Sequence, residues 1–215
     1  MLDSFRDAFK LPDLKRRILF TIGVLFVFRL GAHIPTPGID AAAMAGLFQE
    51  GGILSFFDLF AGGALRRFSV FALGVAPYIN ASIVIQLLTV VIPALERLQK
   101  EGEEGRRKIT QYTRVSTIFF AAVQAAGMAF WLRGLGVFPS GALNMGVVVI
   151  TLVTGCMTVM WLGEMISDHG IGNGISLLIF AGIVARLPEA VIRTWSILRA
   201  GEMNALTLLV ALVII

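Results

Sequence analysis

The sequence predicts an all-α protein that crosses a membrane several times. Of its 215 residues, 57% are hydrophobic and 15% are charged, whereas soluble domains average roughly 45–50% apolar and 25% charged residues. The mean hydropathy is +0.84. The apolar runs are continuous and do not alternate with polar residues, which favours helices over a β-barrel. We expect five transmembrane helices, the start of a sixth, and one short re-entrant helix.

The same composition excludes several other classes of protein. One cysteine, Cys156, can form neither a disulfide framework nor a thiolate metal site. The two histidines, His33 and His169, lie far apart and lack the spacing of a zinc-binding motif. No serine is spaced to pair with Asp168-His169 as a nucleophile. We therefore expect no catalytic residue, no cofactor and no metal. Nucleic-acid binding is not indicated either, because the sequence has no basic face interleaved with aromatic residues.

The first predicted span covers about residues 18–35. The basic residues 15–17 precede it, and residues 1–17 have the spacing either of a short interfacial helix or of a frayed terminus. Arg29 interrupts the apolar run, so we expect it to snorkel or to contact a buried carbonyl or carboxylate. Pro35 and Pro37 end the helix.

A short apolar segment follows at residues 51–65, bracketed by Gly51-Gly52 and Gly62-Gly63. Its eight-residue apolar centre would rise only about 12 Å as a helix, which is too short to cross a bilayer. Such a segment is expected to sit in the mouth of a cavity. Asp58 in its middle either makes a hydrogen bond or faces water.

Four further spans are predicted at about residues 68–92, 115–132, 141–163 and 170–186. The second is interrupted by Gly74 and Pro77, and the fifth opens on Gly170, Gly172 and Gly174, where glycine would allow close helix packing. Residues 96–108 form a solvated charged loop. Residues 191–215 are interpreted as an external loop and the start of a sixth helix, and we expect the chain to be a fragment that continues beyond its last residue.

The distribution of basic residues predicts the topology. Residues 1–17 and 96–114 hold five and six Lys or Arg, whereas the regions on the opposite side hold six in total. By the positive-inside rule the N-terminus is cytoplasmic. The short segment at 51–65 then lies on the outer face.

Branched aliphatic residues recur on the two interrupted spans. Val75 and Ile79 lie four residues apart on the second span, and Ile175 and Ile179 repeat this spacing on the fifth. Side chains at this spacing share one face of a helix, and together they could form a hydrophobic constriction. The alternative is that they pack against neighbouring helices or face lipid.

Three long motifs stand out in the sequence: GGALRRFSVFALGVAPYINASIVIQLLTVV, EGEEGRRKITQYTR and WLGEMISDHGIGNGISLLIFAGIVA. They resemble the bacterial SecY family, the main channel subunit of the Sec protein translocon. KRRILFTIGVLFVFRLGAHIPTPGID is similar to the family's first helix. The likeness extends from about residue 13 to 190.

The resemblance implies half of a ten-helix channel, built from two inverted five-helix repeats around an hourglass pore. It assigns Val75, Ile79, Ile175 and Ile179 to a hydrophobic pore ring, and residues 51–65 to a movable plug. The plug residues are Gly51, Gly52, Ile53, Leu54, Ser55, Phe56, Phe57, Asp58, Leu59, Phe60, Gly62 and Gly63. The lateral gate contains Asn80, Ile83 and Gln86, and a cytoplasmic loop contains Glu101, Gly102, Arg106 and Arg107.

The resemblance also implies partners and a location. SecE and SecG would join the channel, and the SecA motor or a ribosome would dock on the cytoplasmic face. The substrates would be signal peptides and unfolded polypeptides, with release of apolar segments into lipid, at the bacterial cytoplasmic (inner) membrane. Two other functions stay open on the residues alone: a small-solute secondary transporter and a non-conducting scaffold subunit.

Overall fold

The structure is a computed structural model that describes residues 12–39, 46, 58, 62–136, 142–188, 191–192, 195 and 199. Six α-helices are defined in this part of the chain. They are α1 (Pro12–Gly31), α2 (Ala76–Val91), α3 (Pro93–Lys100), α4 (Glu103–Gly134), α5 (Ala142–His169) and α6 (Gly174–Val184). The all-helical class predicted from the sequence is confirmed for these residues.

Two of the described helices are long and apolar enough to cross a membrane, namely α4 and the part of α5 from Asn144 to His169. A third crossing results if α2 and α3, which meet at an angle of 100°, are counted as one broken span. The bend follows from Pro93. Ile92 is extended, as the residue before a proline usually is, and the proline begins α3 where its missing N–H carries no penalty. The expected total of five spans stays a prediction.

The first two helices begin elsewhere than predicted. α1 begins at Pro12 and ends at Gly31, not 18–35, so the basic residues 15–17 are helical. α2 begins only at Ala76, not at 68, because Pro77 in its first turn fixes the start of the helix. Residues 62–75 before it form turns.

The predicted charged loop at 96–108 is wrong, because most of it is helical. α3 extends to Lys100 and α4 begins at Glu103, so Arg106 and Arg107 lie in the first turns of α4. The acidic residues Glu103 and Glu104 favour this start, since they lie at the positive end of the helix dipole. With 32 residues, α4 rises about 48 Å and extends beyond the roughly 30 Å core of a bilayer.

The last two helices meet at a close turn. α5 continues to His169, beyond the predicted end at 163, and α6 begins at Gly174, later than the predicted 170. A Cβ atom at Gly174 would lie 1.9 Å from the carbonyl oxygen of Gly163, so close packing is confirmed for this glycine. The Asn173 side chain caps α6 by accepting a hydrogen bond from the backbone N–H of Ser176, at 3.1 Å.

The turns at residues 62–75 lie at the centre of the packing. α2 packs on α4, α4 on α5, and α5 on α1 and α6. Phe68 and Ala72 belong to one buried cluster with side chains of α4 and α5, whereas Ala64 and Phe71 belong to a second with α1, α5 and α6. Non-helical backbone within a membrane must be covered by protein in this way. The segment therefore connects both halves of the core.

Candidate functional site

Two cavities of different polarity meet at Ile79 and Ile179. The first, of about 700 Å³, is lined mainly by apolar side chains such as Leu65 and Met128. The second, of about 550 Å³, is lined by many polar and charged side chains. Ile79 from α2 and Ile179 from α6 line both cavities. The two isoleucines therefore form the boundary between an apolar cavity and a polar cavity.

The other two predicted constriction residues lie on opposite sides of this boundary. Val75, directly before α2, lines the apolar cavity, and Ile175, in the first turn of α6, lines the polar one. All four side chains are half-buried. The four residues thus lie around one junction: α6 supplies two of them, and α2 and the residue directly before it supply the other two.

The predicted gate residues follow the exposed face of α2. Asn80 lines the apolar cavity, whereas Ile83 and Gln86 line the polar cavity. The Gln86 side chain contacts Ser82 one turn earlier, with 3.4 Å between Nε2 and Oγ. All three gate residues are exposed in the described part of the chain.

The apolar cavity has no ionisable side chain among the described residues that line it. Asn80, Gln124 and Trp131 carry its polar side-chain groups.

An ion pair between α4 and α5 dominates the polar cavity. Nε and Nη2 of Arg114 contact the two carboxylate oxygens of Glu164, each at 2.8 Å. Such a two-point contact between a guanidinium and a carboxylate is among the stronger side-chain contacts. The Glu164 side chain is only 17% exposed. Sequence reasoning missed the pair, although both residues lie at ends of predicted spans on the same side.

Asp58 is buried and paired. Its side chain is 1% exposed, its Oδ1 accepts a hydrogen bond of 2.9 Å from the backbone N–H of Arg66, and its Oδ2 accepts one from Nη2 of Arg186. Of the two alternatives for this residue, hydrogen bonding is confirmed and exposure to water is wrong. Sequence reasoning did not single out Arg186. The available signal for the pair was that Arg186 and Asp58 carry opposite charges and lie on the same predicted side of the membrane.

Arg29 binds the backbone next to this pair. Its Nη1 donates a hydrogen bond of 2.7 Å to the carbonyl oxygen of Gly62, so the predicted contact with a buried carbonyl is confirmed. Gly62 has a positive φ of 63°, and a Cβ there would lie 2.8 Å from Cα of Gly182 on α6. Only glycine combines this conformation with so close an approach.

Part of the predicted plug lies outside the described residues. Gly62 and Gly63 lie in the turns before α2, and Asp58 is described. The predicted plug residues outside the described part are Gly51, Gly52, Ile53, Leu54, Ser55, Phe56, Phe57, Leu59 and Phe60.

The residues assigned to a cytoplasmic loop are exposed at one end of the bundle. Glu101 and Gly102 form the turn between α3 and α4, and Arg106 and Arg107 project from the start of α4. Gly102 has a positive φ of 79°, a conformation that glycine adopts without strain.

Comparison with known proteins decides the family. The family model described as SecY matches residues 69–215. The chain belongs to the SecY family. It is 52% identical over 212 residues to the protein translocase subunit SecY of Escherichia coli K12, and the aligned region covers 95% of this chain and 48% of that protein. It is 46% identical over 220 residues to SecY of Aquifex aeolicus, and the aligned region covers 97% of this chain and 51% of that protein. The chain spans about half the length of these curated relatives.

Solved channels share the fold. A protein-conducting channel and Sec61 in the canine ribosome–channel complex from the endoplasmic reticulum each match with a TM-score of 0.55 and 24% sequence identity. Each match covers 79% of this chain and 36% of the solved chain. The described helices are therefore arranged as in part of the SecY and Sec61 fold.

Proposed function

We propose that this chain forms the N-terminal half of a protein-conducting channel subunit in the bacterial cytoplasmic membrane. The channel moves unfolded secretory polypeptides across the membrane and releases apolar segments laterally into lipid. The observation that carries the proposal is the junction of an apolar and a polar cavity at Ile79 and Ile179. Membership in the SecY family supports it, since the relatives in Escherichia coli and Aquifex aeolicus are named protein translocase subunits.

The junction suits a polypeptide of any sequence. Val75, Ile79, Ile175 and Ile179 would supply half of a ring of aliphatic side chains, with the other half of the channel closing it. Such a ring excludes water and ions when nothing occupies it. It also fits around a moving chain without hydrogen bonds that would have to be broken at each step.

Residues 51–65 serve as the plug in this proposal. The contacts of Asp58 and Gly62 with α6 and α1 support a resting position against the side of the channel. Asn80, Ile83 and Gln86 on the exposed face of α2 form one side of the lateral gate. A substrate segment of about twenty apolar residues could leave through this gate into the bilayer.

The five spans of this half are α1, α2, α4, α5 and α6, with an inverted repeat of them in the other half. A cytoplasmic N-terminus places the polar cavity on the cytoplasmic side and the apolar cavity on the outer side. The exposed residues Glu101, Gly102, Arg106 and Arg107 then face the cytoplasm. There they would contact the SecA motor or a ribosome, which supplies the energy, while SecE and SecG complete the membrane complex.

The uncharged apolar cavity favours this function over a secondary transporter. Ion-coupled transport requires ionisable side chains or coordinating carbonyls near the middle of the membrane. Arg29, the charged residue nearest the middle of a predicted span, is bonded to the Gly62 carbonyl. A non-conducting scaffold would need neither cavity.

The test is reconstitution of the intact channel in lipid vesicles with its motor and an unfolded secretory precursor. We expect the precursor to become protected from added protease in the presence of ATP. Deletion of residues 51–65 should raise the resting ion conductance of the channel in planar bilayers. Absence of protected precursor would contradict the channel function, and unchanged resting conductance would contradict the plug role alone.

A further inference from the structure

A buried ion pair outside the two cavities joins the chain before α2 to the end of α6. The Asp58 side chain is 1% exposed and the Arg186 side chain 21% exposed. Arg186 follows the last turn of α6, and its backbone N–H donates a hydrogen bond to the carbonyl oxygen of Ile183 at 3.1 Å. Loss of one partner would leave the other charge buried without compensation, which is strongly unfavourable.

The two carboxylate oxygens of Asp58 have separate partners. Oδ1 accepts from the backbone N–H of Arg66, and the Asp58 carbonyl oxygen accepts from the N–H of Gly63 at 3.1 Å. These bonds shape the local turn. Oδ2 bonds to Arg186, 128 positions away in sequence. A change that removes the charge but keeps Oδ1 as an acceptor therefore separates the long-range contact from the local one.

The backbone beside Asp58 fits directly against α6. A Cβ at Gly63 would lie 3.5 Å from the guanidinium of Arg186, and a Cβ at Gly62 would lie 2.8 Å from Cα of Gly182. Arg29 of α1 binds the Gly62 carbonyl from the other side. Arg186, just after α6, and Arg29 of α1 thus hold this segment from two sides, Arg186 through its ion pair with Asp58 and Arg29 through the neutral carbonyl of Gly62.

We propose that Arg186 is a positioning residue that holds Asp58 and the Gly62–Gly63 turn against α6 in the resting channel, and that loss of this ion pair releases them. The inference rests on the proposed channel function. α6 also carries Ile179 at the cavity junction, about two helical turns from Arg186. A polypeptide that displaces α6 at Ile179 would therefore move Arg186 away from Asp58. Occupation of the junction and release of the turn are coupled through one helix.

Two variants break the pair with minimal change of shape. Asp58→Asn keeps Oδ1 as the acceptor for Arg66 but turns an N–H donor toward Arg186, and Arg186→Gln removes the other charge. Spin labels on Arg67→Cys and Leu187→Cys, both exposed positions, report the distance between the turn and the end of α6 in the intact channel. The buried thiol of Cys156 is first removed by Cys156→Ala. We expect both variants to broaden the distance distribution and lengthen its mean.

Resting ion conductance gives a second readout in the unlabelled channel. We expect each single variant to raise it by roughly tenfold, as suits a largely buried pair. The double variant Asp58→Asn/Arg186→Gln should raise it no further than one single variant, because the two residues act through one contact. Arg186→Lys keeps the charge and should restore most of the resting state. The control Arg67→Gln removes a neighbouring charge whose side chain is exposed, and it should leave conductance unchanged.

The label distance decides the proposal. An unchanged distribution in both single variants would overturn it, and so would effects that add in the double variant. If a single variant does not assemble, the label distances in the double variant and in Arg186→Lys are still compared with that of the wild-type channel. Deletion of residues 51–65 separates this inference from the plug role: a leak on deletion with none in the single variants would retain the plug and reject the role of Arg186.

Discussion

Charged side chains within the bundle have specific partners. Arg29 and Asp58 lie within or beside predicted apolar segments, and Glu164 lies at the end of one. Arg29 bonds to a carbonyl oxygen, Asp58 to Arg186, and Glu164 to Arg114. An unpaired charge in such surroundings costs several kcal/mol, so each of these residues restricts how its neighbours can pack.

Gly155 on α5 tests the closest contact between a helix and the turns before α2. A Cβ at Gly155 would lie 1.9 Å from the carbonyl oxygen of Val70, and a backbone atom cannot move aside cheaply. We expect Gly155→Ala to lower the free energy of unfolding by about 1–3 kcal/mol, measured by denaturant unfolding in mixed micelles.

Gly146 on the same helix is the matched control. A Cβ there meets nothing within 4 Å, so Gly146→Ala should be neutral or stabilising by up to about 1 kcal/mol through helix propensity. Equal effects of the two substitutions would contradict the close contact between α5 and Val70.

Sequence could predict the kind of contact that some residues make, but not every partner. Arg29 was expected to snorkel or to contact a buried carbonyl or carboxylate, because a charge in an apolar run must be compensated, and it contacts the Gly62 carbonyl. The choice between two environments for Asp58 stayed open, because a charged residue in a short helix suits either one. The contact with Arg186 spans 128 positions, and no periodicity within one segment reports which distant residue lies opposite.

At the scale of elements, hydropathy located the apolar segments but not their backbone. Residues 68–75 are uncharged, so they were included in a span, yet they form turns. Phe68 has a positive φ of 43°, a conformation outside any helix. The local signals were Gly74 and Pro77. Conversely, Arg106 and Arg107 are charged and helical, because a helix that extends beyond the bilayer carries charge at its end.

The N-cap of α6 tests how this element is fixed at the polar cavity. Asn173→Ala removes the side-chain acceptor for the Ser176 N–H, which typically costs about 1 kcal/mol. We expect the Ser176 amide to exchange with solvent roughly fivefold faster in hydrogen-exchange measurements. Asn80 lies on the exposed face of α2 and caps no described helix, so Asn80→Ala should leave the exchange rate of the Ser176 amide unchanged. Equal exchange in wild type and Asn173→Ala would show that the cap does not stabilise the start of α6.

At the scale of the whole molecule, residues from several helices create two cavities that differ in polarity. The sequence predicted the aliphatic pairs on the two interrupted spans, and family resemblance assigned them to a ring. It could not predict that α4 would bring Arg114 to one cavity and Trp131 to the other, because that depends on how the helices pack. The junction at Ile79 and Ile179 emerges only when α2 and α6 are placed together.

The exposed residues Arg106 and Arg107 near the start of α4 test the proposed cytoplasmic face. Arg106→Glu/Arg107→Glu reverses two exposed charges, and we expect binding of the SecA motor or of ribosomes to channel-containing vesicles to weaken at least about tenfold through lost electrostatic complementarity. The control is Arg133→Glu, an exposed arginine at the opposite end of α4. An equal loss of binding in the control would place the docking surface elsewhere.

Contact between a translocating chain and the cavity junction is the most direct test of the account. A secretory precursor with one cysteine is arrested halfway through the channel, and disulfide formation is measured with Ile79→Cys or Ile179→Cys. We expect both to cross-link, whereas Ile85→Cys, a buried position on α2, and Val147→Cys, an exposed position on α5 outside the cavity linings, should not. Cross-links at the two control positions with none at Ile79 and Ile179 would contradict a polypeptide path through this junction.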